Sequence, residues 1–385
     1  MNNQSKLFFL RAAVSVALLF SLNWASELSQ KGEFEQRYLW VVRNALTSKS
    51  SINQMLNFAT LNRFNHILVQ VRGRGDAYYN SMIVPKSQLI NDANFDPLAY
   101  LIPRAKEKGI HVHAWVNTYL LWSSRSKPVQ DDHLFYSHPE WIDQNKQIQL
   151  NLSEEMQNFN SGKNGNEGFY LSPNHPKVNS YLLTVFRDLI ENYELDGLHL
   201  DYVRFHDSEY GHNPAAIAYF RKYNGMKAYP PEETSGVSEW NDHRRKAITD
   251  LVRETKNLIE TVRPGVELSA AVKPNLYQAR ERYFQEWDVW LAAGYLDKAV
   301  VMNYTKNLKE FADNIDIMYD NLPSKYRKKI VMGIATYNQP ADQVVDKVKY
   351  TRVTRFKGIS FFSYNVMAQN PRYFRLIKKI LYPRG

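Results

Sequence analysis

Asp201 ends a run, Asp196-Gly197-Leu198-His199-Leu200-Asp201, in which apolar residues alternate with His199 and Asp201. In an extended strand that spacing places both polar side chains on one face. A carboxyl held there can protonate a departing oxygen or take a proton from water, the chemistry that breaks glycosidic bonds. The competing reading is an aspartate that merely caps a loop. His199 and Arg204, close in an otherwise apolar strand, favour the catalytic reading. Burial or a second carboxylate would raise the pKa of Asp201, and Arg204 would lower it.

Glycoside cleavage usually needs a second carboxylate as base or nucleophile. Asp76 stands in Arg72-Gly73-Arg74-Gly75-Asp76, where glycines let the chain turn tightly toward a ligand. Its alternative is a structural ion pair with Arg72 or Arg74. Glu140 and Glu209 are loop candidates that read more simply as solvated surface acids. The expected substrate-binding groups are Arg72, Arg74, Tyr78, His113, Trp115, Asn117, Trp141, His199, Arg204, Lys273, Asn303, Tyr304, Tyr337 and Tyr364. Asn, Arg and His suit sugar hydroxyls, and Trp and Tyr suit the apolar faces of sugar rings. His111-Val112-His113 invites a metal, with His199 and Asp201 as further ligands, but the sequence completes no ligand set. A metal-dependent deacetylase or amidohydrolase is therefore the weakest reading. No Gly-x-Ser-x-Gly elbow is present. Neither a metal nor a cofactor is expected.

Eight short apolar runs could position these groups, at 39–43, 67–72, 110–116, 197–202, 266–272, 299–303, 330–335 and 359–362. Helical patterns lie between them. Ser50 or Ser51 can cap the first, with Ile52, Met55, Leu56 and Ala59 as its stripe. Asp96-Pro97 opens the second, Val178, Leu182, Val185 and Leu189 share a face in the third, and residues 371–381 form the last. Eight βα units predict an α/β fold, a (β/α)8 TIM barrel formed as one domain by residues 36–382. A doubly wound open sheet fits less well, because Arg43-Asn44-Ala45-Leu46 stands where a Gly-rich phosphate loop would follow the first strand. Long connections at 119–173 and 206–239 follow strands 3 and 4 and should rim the mouth. Residues 158–168 are polar and rich in Gly and Asn and read as a mobile tip.

The chain is 44% hydrophobic and holds 25 Tyr, 19 Phe and 8 Trp, more rings than packing alone requires. It has no cysteine, which excludes disulfides, thiolate ligands and a Cys nucleophile. Lys6 and Arg11 flank the apolar run 7–20, and Ala25 and Ser26 follow, as in a secretory signal spanning 1–25. An uncleaved anchor is the alternative, since Asn23 and Trp24 precede Ala25. Either way the protein is expected to be exported to the periplasm or envelope, with membrane contact only through this segment. Net charge is +10, and removal of the segment lowers it by two. The positive charge is scattered, without the basic and aromatic motifs of RNA-binding domains, so no nucleic acid partner is expected. An acidic polysaccharide fits it better.

Several pieces in order resemble the bacterial glycosyl hydrolase-like family ten, from Tyr38 to about Tyr373. They are Leu39-Trp40-Val41-Val42-Arg43, Gln70-Val71-Arg72-Gly73-Arg74-Gly75-Asp76-Ala77-Tyr78-Tyr79 and His113-Ala114-Trp115-Val116-Asn117. They continue with His138-Pro139-Glu140-Trp141, Leu171-Ser172-Pro173, the strand ending at Asp201, Met302-Asn303-Tyr304 and Phe362-Ser363-Tyr364. The resemblance implies a secreted barrel that cleaves envelope glycans, namely peptidoglycan strands stripped of stem peptides. It implies Asp201 as the strand-four carboxylate, with Arg72, Asp76, His113, Asn117 and Tyr304 lining the cleft. Two departures concern the second acid: Tyr202 stands where some relatives have an adjacent acid, and Ser363-Tyr364-Asn365 where some carry carboxylates. Chitinase-type barrels end strand four in Asp-x-Asp-x-Glu; here His199, Asp201 and Val203 occupy those positions, which disfavours substrate-assisted chitin cleavage. A non-catalytic glycan-binding barrel is the remaining alternative.

Overall fold

A computed structural model describes residues 34–145, 167–224, 234–354 and 356–381. The expected signal segment, and residues 158–166 of the expected mobile tip, lie outside the described residues. Eight parallel strands close into a barrel. They are β1 (Gln36–Val41), β2 (His66–Arg72), β3 (His111–Asn117), β4 (Gly197–Asp201), β5 (Glu267–Val272), β6 (Lys298–Met302), β7 (Ile330–Ala335) and β8 (Gly358–Phe362). Each strand pairs with the next in sequence, and β8 pairs with β1 to close the ring. The expected (β/α)8 barrel is thus the fold, and the open-sheet alternative is excluded.

The helices form where the pattern placed them. In α1 (Lys49–Leu61) Ile52, Met55, Leu56 and Ala59 are buried against the sheet. Its cap is Ser48, one turn earlier than expected: Ser48 and Ser51 accept each other's backbone amides. Asp96 caps α2 (Pro97–Glu107), accepting the amides of Leu98 and Ala99. Further helices are α3 (Val178–Asn192), α4 (Thr234–Val262), α5 (Leu308–Asn321), α6 (Ala341–Val353) and α7 (Pro371–Leu381), and another, Pro214–Asn224, lies in the long connection after β4. Between β5 and β6 two short helices, Leu276–Tyr283 and Trp287–Ala292, replace a single one. The long connection after β3 carries a small antiparallel ribbon, Leu120–Trp122 against Phe169–Tyr170.

Inward side chains fill the barrel in layers. At its N-terminal end Tyr38 stacks on His66 (4.3 Å) and donates to Glu267 Oε1 (3.1 Å). His66 Nδ1 shares a hydrogen bond with His113 Nε2 (2.9 Å). Nearer the mouth, Trp40 meets Trp115 (4.7 Å) and His199 (4.9 Å) edge-on. His199 Nδ1 also bonds Ser269 Oγ (2.8 Å). Burial lowers the pKa of both His113 and His199 to about 3, so both are neutral packing groups at physiological pH. Gly197 is the residue opposite His113 in the ladder. A Cβ there would lie 2.1 Å from His113 Nδ1 and 3.0 Å from the Glu267 carbonyl. Gly197→Ala should therefore destabilise the fold by about 2 kcal/mol or more, as overpacking does in rigid interiors. A urea midpoint within error of the parent would contradict this packing.

Candidate active site

The C-terminal strand ends enclose a cavity of about 530 Å³. Trp40 and Phe362 approach at 5.7 Å and Trp115 and Phe362 at 6.2 Å, giving an aromatic floor. Around it stand Arg43, Gln70, Asn117, Asp201, Arg204, Lys273, Tyr304 and Tyr337, with Ser123 and Glu167 supplied by the connection after β3.

Asp201 is 6% exposed. Its Oδ2 accepts the Trp115 Nε1 hydrogen (3.1 Å) and its Oδ1 the Tyr202 amide (2.7 Å). Tyr202 has φ of 52°, in the left-handed region that bulky residues avoid. Such backbone outliers cluster at functional sites. Burial raises the Asp201 pKa to about 6, and Glu167 pushes the same way against the Tyr202 amide, Arg204 and Trp115. The Trp115 indole hydrogen is shared with Asn117 Oδ1 (3.0 Å). Asn117 Nδ2 in turn donates to the Gly73 carbonyl (2.7 Å), so the ring supporting Asp201 is itself fixed.

Glu167 sits just before the ribbon. Gly168 brings the chain so close to Trp122 that a Cβ would lie 2.3 Å from its carbonyl oxygen, at φ of 139°. Arg204 Nη2 reaches Glu167 Oε2 at 2.6 Å, and Tyr170 Oη donates to the same oxygen at 2.5 Å. Burial alone would raise the Glu167 pKa. The Arg204 charge, the bonds from Tyr170 and Arg204, and the Lys273 charge outweigh it and bring it down to about 2. Arg204 is anchored through Nη1 to the carbonyls of Phe205 (3.0 Å) and His206 (3.2 Å). One cavity thus holds two carboxyls whose pKa values are driven apart, one toward a proton donor and one toward a permanent anion. A raised pKa alone does not make this assignment. Burial lifts Asp143 to about 7, yet it is outside the cavity wall and ties Ser172 Oγ (3.0 Å) and the Gly211 amide (3.2 Å) together.

Of the groups expected from sequence, Trp115, Asn117, Asp201, Arg204, Lys273, Tyr304 and Tyr337 line the cavity. The others need correction as to place. His113 and His199 point inward but lie in deeper layers, under the aromatic floor. The β2–β3 register shifts between Gln70 and Arg72, and Arg72 turns instead to the carbonyls of Asn117 (2.5 Å) and Thr118 (3.4 Å). Arg74 Nε donates to Ser123 Oγ (3.0 Å), and the Asp76 carboxylate accepts the Arg74 amide (3.1 Å), outside the wall. Tyr78 is fully buried behind them. Trp141 stacks on His138 (3.9 Å) inside the loop, and Tyr364 packs on Phe58 (5.3 Å). Asn303 turns outward to the Phe311 carbonyl (3.0 Å) and Asn314 (3.0 Å) on α5. Glu140 and Glu209 are both exposed, as surface acids are. His111 pairs with Asp196 (2.9 Å) at the opposite end of the barrel. Among the described residues no three His, Asp or Glu converge as a metal site. Gln70, at the end of strand two, also lines the cavity as expected, whereas sequence reasoning missed Arg43, Trp40, Phe362 and, above all, Glu167. The available signal for Glu167 was an acid followed by Gly168 and the aromatic pair Phe169-Tyr170.

The family model described as Glycosyl hydrolase-like 10 matches residues 35–352. The chain belongs to this family. Glycosyl hydrolase DigH of Escherichia coli (strain K12) is 24% identical over 341 residues, 82% of this chain and 67% of DigH. Glycosyl hydrolase YngK of Bacillus subtilis (strain 168) is 23% identical over 264 residues, 66% of this chain but only 43% of YngK. This glycosyl hydrolase-like 10 chain thus corresponds to less than half of YngK's length. The PgaB (BpsB) glycoside hydrolase domain from Bordetella bronchiseptica superposes with a TM-score of 0.68 at 13% identity, covering 91% of this chain and 99% of that one. Alpha-L-fucosidase isoenzyme 2 from Paenibacillus thiaminolyticus gives 0.61 at 14% identity, covering 91% and 49%. At these identities the two structures share the fold.

The buried Asp201 carboxyl has a consequence for stability. Its folded pKa of about 6 exceeds the ordinary 3.8, so folding favours the protonated form and stability is lost as pH rises from about 4 through 6. Asp201→Asn removes that cost. It should stabilise the protein by roughly 1–3 kcal/mol above pH 6, with the gain vanishing below pH 4. Thermal melts across pH test this, and equal or lower stability of the variant at pH 7 would contradict the burial assignment.

Proposed function

We propose that this protein hydrolyses O-glycosidic bonds of a bacterial envelope polysaccharide, peptidoglycan strands lacking stem peptides. Asp201 is the general acid and Glu167 the opposing carboxylate. The observation that carries the reading is the pairing of a proton-holding carboxyl with an ionised one in a single aromatic-floored cavity. Asp201 donates its proton to the leaving oxygen. Glu167 either attacks the anomeric carbon or takes the proton of an attacking water, and product stereochemistry distinguishes the two. Trp40, Trp115 and Phe362 offer a platform for sugar faces. The Tyr304 hydroxyl is buried without a protein partner among the described residues, so it is available to a sugar hydroxyl. With Asp201 protonated, Arg43, Arg204 and Lys273 outnumber Glu167, which favours a glycan bearing carboxylates; peptide-free strands expose lactyl carboxylates. The names of DigH and YngK agree with hydrolysis. The apolar run flanked by Lys6 and Arg11 supports reading the protein as exported to the periplasm or envelope.

Intact sacculi, amidase-treated sacculi and chitin, each incubated with the protein, should yield soluble products only from the amidase-treated sample. Asp201→Asn should slow release by about 10²–10⁴-fold while glycan binding persists. Binding without products from any sample would instead identify a glycan-binding barrel. The kcat/KM profile should fall as pH rises through about 6, where Asp201 ionises, and fall again toward pH 2, where Glu167 takes a proton. Activity that climbs steadily from pH 6 to 9 would rule out Asp201 as the acid.

A further inference from the structure

We infer that Lys273 forms the cavity's anion subsite and selects a sugar that carries a carboxylate, such as a lactyl-ether amino sugar or a uronic acid. The inference rests on the glycan reading above and adds which sugar the site takes.

Lys273 follows β5 directly and lines the cavity. Its backbone is clamped on both sides. Its amide donates to Gln285 Oε1 (2.9 Å) and its carbonyl accepts the Trp287 Nε1 hydrogen (3.1 Å). Gln285 is itself buried and donates to the carbonyls of Val203 (3.3 Å) and Ala271 (3.1 Å). The root of the side chain is therefore fixed to β5 and to the segment just after β4, and its ammonium rests 4.5 Å from the centre of the Tyr283 ring. A preorganised cation of this kind loses little freedom when an anion binds.

That ammonium has no carboxylate within ion-pair distance among the described residues. The carboxylate in its neighbourhood, Glu167, is taken by Arg204 at 2.6 Å. If Lys273 served chiefly to hold Glu167 ionised, it would occupy that contact. Instead the Arg204–Glu167 pair is internally balanced, Asp201 is protonated below about pH 6, and Lys273, like Arg43, is left as surplus positive charge in the cavity. Burial and the Arg204 charge lower its pKa to about 8, so the charge costs free energy until an anion shares it. A neutral glycan brings no such anion. A carboxylate on the sugar next to the scissile bond does.

The test measures binding, so it does not depend on turnover. Asp201→Asn holds the glycan uncleaved, the amide standing in for the protonated acid. This variant is titrated with peptide-free peptidoglycan strands and with the same strands after their carboxylates are converted to methyl amides. Affinity for native strands should exceed that for amidated strands by about tenfold or more. Adding Lys273→Met should bring the ratio close to one, while Lys273→Arg, which keeps the charge, should preserve discrimination and serve as the folding control. A ratio unchanged by Lys273→Met, or no discrimination in the Asp201→Asn parent, overturns the inference. Wild-type product release is scored separately. Discrimination without products refutes the hydrolase reading and leaves the subsite standing, and products without discrimination do the reverse.

Discussion

Closing an eight-stranded parallel sheet removes every free edge and obliges the inward side chains to fill the interior. The other features of this molecule follow from that. At the N-terminal end the space goes to Tyr38, His66 and His113, and the last of these leaves room only for glycine at 197. Higher up, Trp40, Trp115 and Phe362 seal the interior and become the floor of the cavity. Because all eight strands run the same way, their last residues meet at one rim, so Asp201, Arg204 and Lys273 gather from neighbouring strands without further design.

A dry floor also sets the chemistry. It desolvates Asp201 and keeps its proton, while Arg204, fixed by backbone carbonyls, strips the proton from Glu167. The same low-dielectric setting produces opposite outcomes because one carboxyl has a contacting cation and the other has not. Asp143 shows the contrast, being a buried carboxyl that holds loops together away from the cavity.

The barrel was legible because each strand is a short apolar run bounded by helical periodicity, and because Asp96-Pro97 and residues 371–381 carry plain helix signals. Asp201 was legible through alternation with His199. Alternation says which face a side chain takes but not its depth, so His113 and His199 read as mouth residues although aromatic rings cover them. The shift between Gln70 and Arg72 depends on pairing with β3 and leaves no local mark. Glu167 was hidden for a similar reason. Its place is set by the ribbon pairing of 120–122 with 169–170 and by the close approach of Gly168 to Trp122, both long-range contacts inside a stretch that is polar in sequence.

The joint action of Asp201 and Glu167 on one glycosidic bond within the barrel mouth underlies the proposed hydrolysis. Its most direct test is a crystal structure of Asp201→Asn with a peptide-free glycan oligosaccharide bound. A sugar ring should lie on the Trp40, Trp115 and Phe362 floor, with a glycosidic oxygen within about 3 Å of residue 201 and the anomeric carbon facing Glu167. A glycan seated on another surface, or one that turns its glycosidic oxygens away from both carboxyl positions, would contradict it.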